Sequence, residues 1–278
     1  MAPMQLSMEK SCLLKSLKIS CWALLLLTHG LLAQDWEEVR SVELPAAFSC
    51  ISHDLQGNVY VATIDDQVLK INKEGETLAA FSEPNLGPYS LIEAQITLNP
   101  FLFIRDNQQV VFLDRFLANP VIYDLSQWTT NFVALATPGV DRQLWLLENF
   151  PLRITKVDRF SGNVLHEILI QIGFEMENLV YFSANQMSLL LVDEVTGIYL
   201  FDLFGNLLLH EEVAGAKSAQ VIGDQLLYYA ANSINQLDIR TAEKQSINLT
   251  KPYWDVRNIG EHFLFMEPDQ LIWKRLRE

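Results

Sequence analysis

Residues 189–202 have the sequence LLLVDEVTGIYLFD, an apolar run, a polar turn and a second apolar run that ends in Asp202. The same kind of ending, an apolar run closed by one polar residue, recurs at Asn72, Asp114, Asp158, Asp202, Asp238 and Arg275. Successive members of this set lie 42, 44, 44, 36 and 37 residues apart. Short strands with a period near 40 residues are typical of β-propellers with one four-stranded blade per repeat. The sequence therefore predicts an all-β fold, a six-bladed β-propeller.

The first repeat shows how four strands fit into one unit. Residues 48–53, 59–64, 67–72 and 77–81 form apolar or alternating runs, separated by turns rich in Asp, Asn and Gly. We expect the recurrent Asp after the third strand to cap the next turn by accepting backbone N–H hydrogen bonds. Calcium binding is the alternative role for this Asp.

The two ends of the chain predict how the ring closes. The third strand of the last unit, within 271–276, is followed by too few residues for a fourth strand. The segment 36–44 is strand-like and has no earlier unit to join. We expect it to supply the outer strand of the last blade, since this pairing hides two sheet edges. Five or seven blades are the alternatives if one unit is misassigned.

The N-terminal region has the order of a secretory signal peptide. Three lysines precede an apolar run at 21–27, and Ala33 supplies a small residue at the cleavage point. A membrane anchor is the alternative, but residues 28–30 interrupt the run before it reaches about 20 residues. We therefore expect residues 1–33 to be a signal peptide and residues 34–278 to be the β-propeller domain.

Composition excludes some partners. The formal net charge of −14 is unsuited to nucleic acid, whose phosphates require clustered Lys and Arg. It also disfavours anionic membrane surfaces, so we expect no membrane insertion after signal cleavage. Cleavage would leave Cys50 as the only cysteine, which predicts no internal disulfide. A buried, inert thiol is favoured over a catalytic one.

Residues 96–106 and the following 109–114 resemble a segment of uncharacterised exported β-propeller proteins of Bacteroidota. In that group an Asn-Pro pair leads into an apolar strand, a charged turn and a third strand ending in Val-Leu-Asp or a similar run. The predicted signal, which ends in Ala-Gln, is also similar to that of exported proteins of this phylum. The resemblance implies a propeller fold and a location in the cell envelope. We expect an exported protein of the periplasm, with association with the outer membrane as the alternative. It implies no activity and no catalytic residue.

Catalytic and metal-binding motifs are absent from the sequence. The four histidines after residue 33 fall in different repeats, and neither a nucleophile elbow nor a phosphate-binding loop occurs. We therefore assign no catalytic residue, cofactor-binding residue or metal ligand. Six-bladed enzymes of the lactonase type hold calcium in the central channel with Glu, Asn and Asp. The predicted inner strands of this chain and their entrances carry oxygen-bearing residues of the kind that calcium prefers: Glu93, Asn131, Glu177, Asn178, Asp255 and Asn258. The alternative is that they are ordinary polar residues of a water-filled channel.

The connectors between successive blades carry aromatic residues that indicate a contact surface. These are Tyr89, Trp128, Phe174, Tyr253 and Trp254. Aromatic side chains on one face are typical of protein-binding surfaces, although they could instead fill the gaps between blades. We expect a non-enzymatic binding or scaffolding module of the bacterial envelope, monomeric by itself, with a protein partner such as an outer-membrane protein. A calcium-dependent hydrolase or lactonase is the alternative function.

Overall fold

Strands make up nearly all the regular structure of the described residues, 36–95, 99–140 and 142–277, in the computed structural model. Two short 3₁₀ helices, Leu125–Gln127 and Met176–Asn178, lie in connectors. The strands are β1 (Trp36–Glu43), β2 (Phe48–His53), β3 (Val59–Thr63), β4 (Gln67–Ile71), β5 (Thr77–Ser82), β6 (Leu91–Glu93), β7 (Phe101–Ile104), β8 (Gln109–Phe112), β9 (Val121–Asp124), β10 (Val133–Pro138), β11 (Gln143–Glu148), β12 (Arg153–Asp158), β13 (Val164–Leu169), β14 (Leu179–Ala184), β15 (Ser188–Asp193), β16 (Gly197–Asp202), β17 (Leu207–Glu211), β18 (Ala219–Ile222), β19 (Gln225–Ala230), β20 (Ser233–Asp238), β21 (Lys244–Asn248), β22 (Asp255–Asn258), β23 (Phe263–Glu267) and β24 (Gln270–Leu276).

These strands form six antiparallel sheets of four strands, which are the blades of a β-propeller. Blades 1 to 5 are β2–β5, β6–β9, β10–β13, β14–β17 and β18–β21, each in sequence order from the inner to the outer strand. The predicted six-bladed fold is confirmed. In blade 1 the four predicted strands match β2 to β5 to within one residue at each end.

Blade 6 is built from both ends of the chain, with the order β1-β24-β23-β22. The predicted closure by the N-terminal strand is therefore confirmed. Arg275 of β24 donates from Nε to Glu37 Oε2 of β1 at 2.8 Å, and Gln270 Nε2 donates to Ser41 Oγ at 2.8 Å. Because β1 covers the edge of β24, the ring closes without leaving that edge unpaired.

The hydrophobic core lies between the blades. Every residue of the second strands β3, β7 and β15 is buried, because each of these strands is covered on both faces by neighbouring blades. One apolar cluster runs through blades 2, 3 and 4 and includes Phe101, Trp145 and Phe182. Another joins blades 6 and 1 through Trp273 and Val61. Each blade is therefore stabilised mainly by its neighbours.

The recurrent Asp caps the turn between the third and fourth strands, as predicted. Asp202 Oδ1, for example, accepts the backbone N–H groups of Phe204 and Asn206 at 2.8 Å. Equivalent bonds are made by Asp114, Asp158 and Asp238. Hydrogen bonds from the turn hold the pKa of each of these carboxyls below its usual value.

The strand order gives the ring two faces. The connector face carries the segments between blades and the turns between second and third strands. The turn face carries the turns between first and second strands and between third and fourth strands. Residues 37–275 form one compact unit, whereas only Trp36, Leu276 and Arg277 are described in the second unit, 1–36 with 276–278. The predicted signal peptide lies outside the described residues, within which no helix is long and apolar enough to cross a membrane.

Candidate functional site

Three of the predicted connector aromatics pack inward. Tyr89 is only 2% exposed and belongs to the apolar cluster between blades 1 and 2. The half-buried Trp128 packs on Tyr123 with ring centroids 5.3 Å apart. Phe174 meets the ring of Tyr199 edge to face at 4.8 Å. Tyr89 is therefore a filler between blades in this conformation and offers no contact surface.

The other two connector aromatics lie before the inner strand of blade 6. Trp254 packs edge to face on Phe48, with ring centroids 4.7 Å apart. Tyr253 packs on Phe265 at 4.9 Å and lies below the ammonium group of Lys274. Both side chains are half-buried, so each has a packing role and keeps some exposed surface. Partner binding by the half-buried connector aromatics stays a prediction.

A set of exposed phenylalanines lies on the opposite, turn face and was missed in the sequence. Phe116, Phe160 and Phe204 are 65%, 59% and 78% exposed, and each sits two residues after the capping Asp of its blade. The backbone N–H of each Phe donates to that Asp at 2.9, 3.1 and 2.8 Å. The cap that shapes the turn therefore also holds the Phe at its tip. The sequence pattern that could have located these phenylalanines is Asp-x-Phe at the end of the third strand in blades 2, 3 and 4.

The outer strands that follow these turns are also apolar at their surface. The exposed residues are Val121 and Ile122 in β9, Val164, Leu165 and Leu169 in β13, and Leu207 and Leu208 in β17. Three of them, at the starts of β9, β13 and β17, follow the Phe turns directly. We call these residues, together with the three phenylalanines, the apolar sector. Large apolar patches on the surface of a soluble protein often mark an interaction site.

Arginines accompany the phenylalanines of the apolar sector. The guanidinium of Arg115 lies 4.7 Å from the ring centroid of Phe116. Those of Arg142 and Arg159 lie 5.5 and 4.8 Å from the ring centroid of Phe160. None of the three forms a salt bridge with a carboxylate in the described part of the chain. The sector thus combines apolar area with guanidinium groups, which lie near the ionised Asp114 and Asp158 of the same turns but form no salt bridge with them.

Two reactive side chains near the channel are held in neutral forms. Burial raises the pKa of the Cys50 thiol to about 12, and the thiol lies 3.6 Å from the carbonyl oxygen of Tyr89. Burial, followed by the charge of Arg257, lowers the pKa of His53 to about 4. A thiolate nucleophile paired with a protonated imidazole is therefore not available at neutral pH.

The candidate calcium ligands have other partners or are spread apart. Asp255 is buried, accepts from Ser218 Oγ at 2.5 Å and pairs with Arg257 Nε at 3.1 Å. Asn131 donates from Nδ2 to Glu148 at 2.6 Å. Glu93 is buried, and Glu177 is exposed. No group of three or more His, Cys, Asp or Glu in the described ranges has a metal-binding arrangement. Calcium binding stays a prediction.

Comparisons with known proteins identify the fold alone. No protein-family model matches this chain, and no curated protein matches it. A virginiamycin B lyase from Staphylococcus aureus is 14% identical over 87% of this chain and 100% of its own, with a TM-score of 0.58. The Pan2 WD40 domain from Neurospora crassa is 12% identical over 89% of this chain and 98% of its own, with a TM-score of 0.58. A lyase and a WD40 domain thus share the propeller architecture of this chain.

Proposed function

We propose that the protein is a non-enzymatic binding module that presents the apolar sector of blades 2 to 4 to a protein partner. The observation that carries this proposal is the row of exposed phenylalanines at the tips of three consecutive turns. A Phe at such a tip contributes nothing to the blade core, whereas aromatic side chains are enriched at protein interfaces.

The arginines of the apolar sector indicate which kind of partner surface would fit it. Arg115, Arg142 and Arg159 lie beside the aromatic rings, and the Asp side chains of the same turns are engaged by backbone N–H groups. A partner surface with apolar side chains and acidic groups around them therefore complements this one. A second copy of this acidic chain is a less suitable occupant, because net charges of −14 repel each other.

We place this module in a bacterial envelope. Support comes from the signal-like order of residues 1–33 and from the resemblance to exported propellers of Bacteroidota. The periplasm is the proposed compartment, and an outer-membrane protein is the proposed kind of partner. A chain that begins at Gln34 in the envelope fraction, as found by N-terminal sequencing, would support this location. A chain still carrying residues 1–33 would contradict it.

The calcium-dependent hydrolase is the weaker alternative. Its ligand set would need Asp255, but this carboxylate already neutralises the buried Arg257. Calcium titration with a thermal-shift readout distinguishes the two functions. A rise in melting temperature with micromolar calcium would favour the hydrolase.

The binding proposal is tested by site-directed photo-crosslinking in the envelope. A photoreactive phenylalanine analogue replaces Phe160 in one variant and Arg240 in the control, since Arg240 holds the same turn position in blade 5. We expect one discrete heterologous adduct from position 160 and none from position 240. The triple change F116S/F160S/F204S should abolish capture of the same protein, whereas R240S should leave capture intact.

Other outcomes contradict the proposal in distinguishable ways. An adduct between two copies of this chain would make the sector a self-association surface. Capture that is lost only after W128A and W254A would assign partner binding to the connector face. Equal adducts from positions 160 and 240 would indicate contact without a specific site.

A further inference from the structure

A pocket opens at the connector face, on the axis of the ring. It has a volume of about 330 Å³ and is lined by residues from the inner strands of blades 1, 2, 4 and 6. Because blades 1 and 4 lie on opposite sides of a six-bladed ring, this pocket is the mouth of the central channel. The charged side chains in its lining are Arg105, Lys217, Arg257 and Glu177. Three of these four side chains are cations, so the charge at the mouth depends on which of them have counterions.

Two of the three basic side chains already have counterions. Arg257 Nε lies 3.1 Å from Asp255 Oδ2, and its NH1 group donates to the carbonyl oxygen of Ile51 at 2.6 Å. Lys217 forms an ion pair with Glu194. These pairs orient the side chains around the mouth and leave little net charge at either position.

Arg105 has no counterion of this kind. The half-buried side chain crosses from the turn after β7 to the start of β14, where NH2 donates to the carbonyl oxygen of Leu179 at 3.2 Å. Its Nε is buried without a hydrogen-bond partner, and no described carboxylate forms a salt bridge with it. Burial lowers the pKa of Arg105, and the charge of the neighbouring Asp106, which forms no salt bridge with it, offsets only part of this effect. An unpaired, partly desolvated cation costs free energy that a bound anion would recover.

The remaining residues that line the channel mouth indicate that the rest of the ligand is apolar. Ile51, Leu91, Leu179, Val180 and Trp254 contribute apolar groups to the same pocket lining as Arg105. Small-molecule sites commonly combine such surface with a few placed polar groups.

We infer that the channel mouth binds a monocarboxylate with a small apolar body, the carboxylate against Arg105 and the body against Trp254. The planar fork of a guanidinium matches a carboxylate in geometry. One cation without a salt bridge matches one negative charge, and Glu177 in the same lining disfavours a second negative charge on the ligand. The same chemistry is found in a free organic acid and in the C-terminal residue of a peptide. This site lies on the face opposite the apolar sector and does not depend on the proposed function.

Calorimetric titration with small probes tests the inference. The probes are N-acetyl-L-leucine, its uncharged amide, isovalerate and inorganic phosphate, at low ionic strength so that screening does not mask the contact. We expect the protein to bind N-acetyl-L-leucine about 10- to 100-fold more tightly than the amide, because only the acid pairs with Arg105. Tighter binding of isovalerate would identify a free acid as the ligand, and tighter binding of N-acetyl-L-leucine would identify a peptide C-terminus.

Variants separate ligand binding from a structural role of Arg105. R105Q should weaken binding of the acid probe about tenfold or more, R105K should retain part of it, and R240Q is the control on an exposed arginine. N-acetyl-L-leucine should raise the melting temperature of the unmodified protein but not of R105Q. If R105Q fails to fold, the inference is still tested by R105K and by comparing the binding of N-acetyl-L-leucine with that of its amide in the unmodified protein. Equal binding of acid and amide, unchanged binding by R105Q, tighter binding of inorganic phosphate, or no binding at 10 mM probe would each overturn the inference.

Discussion

The outer surfaces of blades 4 and 5 differ although their turns are built alike. In both blades an Asp closes the third strand and binds the backbone N–H two residues later, at 2.8 Å for Phe204 and 2.9 Å for Arg240. Phe204 is exposed, whereas Arg240 is paired with Asp224 at 3.0 Å. The outer strand β17 exposes leucines, whereas β21 has the polar sequence KQSIN. The same turn therefore accepts either an apolar or a charged residue at its tip. The phenylalanines at the tips in blades 2 to 4 are not required by the fold.

The largest effect is expected in blade 6, whose outer strand comes from the other end of the chain. Deletion of residues 36–43 removes β1 and exposes the edge of β24, so the ring loses its closure. We expect a loss of at least about 3 kcal/mol in the free energy of unfolding, which corresponds to a fall of roughly 6–12 °C in melting temperature. Calorimetry measures this change. R275Q, which removes only the exposed ion pair with Glu37, is the control and should melt nearly as the unmodified protein does. A truncated protein that melts unchanged would disprove closure as a source of stability.

The next effect is a dependence of stability on pH, which arises from a buried histidine on an inner strand. His53 on β2 is buried, and its pKa in the folded protein is about 4, below the ordinary 6.5. Between these two pH values His53 is protonated in the unfolded chain but neutral in the folded protein. The contribution of His53 to stability is therefore complete above pH 6.5 and is lost as the pH is lowered toward 4. We expect this group to remove about 2 kcal/mol between pH 7.5 and pH 5. Urea unfolding of the unmodified protein and of H53Q at both pH values isolates the contribution. An identical pH dependence in H53Q would assign the loss to other groups.

A smaller effect distinguishes the Phe turns of blades 3 and 4 from each other. Gly205 has φ of +89°, and a Cβ there would lie 2.1 Å from Ile168 Cγ2. Gly162 has φ of +71°, and its nearest neighbour would be Trp128 Cδ1 at 3.4 Å. We expect G205A to cost roughly 2 kcal/mol and G162A no more than about 1 kcal/mol. Ala242 shows that a Cβ is tolerated at φ of +58° in the corresponding turn of blade 5. Equal losses, measured by denaturant unfolding, would mean that Ile168 moves aside.

The smallest effect on stability is expected from the tips of the apolar sector. F116S, F160S and F204S should each change the free energy of unfolding by less than about 0.5 kcal/mol, because these side chains are exposed. The converse change R240F extends the sector into blade 5 and should raise retention on a hydrophobic matrix without affecting the melting temperature. A large loss of stability in the Ser variants would mean that the phenylalanines support the blades.

Sequence patterns were sufficient for the local structure of this propeller. The predicted bounds of the four strands in blade 1 match β2 to β5 closely, since each is a short run flanked by turn residues that break the strand. The capping role of Asp202 was also predictable, because an Asp bonds to N–H groups only two to four residues away. Closure of the ring by β1 was also predictable, because the last repeat has only three strands of its own.

The candidate sites were much less predictable. Tyr89 and Trp254 both occur in connectors, but the first is buried between blades and the second is half-buried at the channel mouth. Phe204 and Phe174 are each adjacent to a Gly, but Phe204 is exposed and Phe174 is half-buried against Tyr199. The direction of a side chain at the end of a strand depends on the neighbouring blade, which lies about 40 residues away in sequence.

The amino-acid sequence by itself determined the blade repeat, the strands and the Asp turns, because hydrophobic periodicity and turn chemistry act over a few residues. Only the tertiary structure decided which aromatic residues face water and which basic side chain at the channel mouth forms no salt bridge. Arg105 illustrates the reason, since its guanidinium donates to the carbonyl oxygen of Leu179 in another blade and forms no salt bridge with a described carboxylate. Distances across a closed ring follow from the packing of all six blades together.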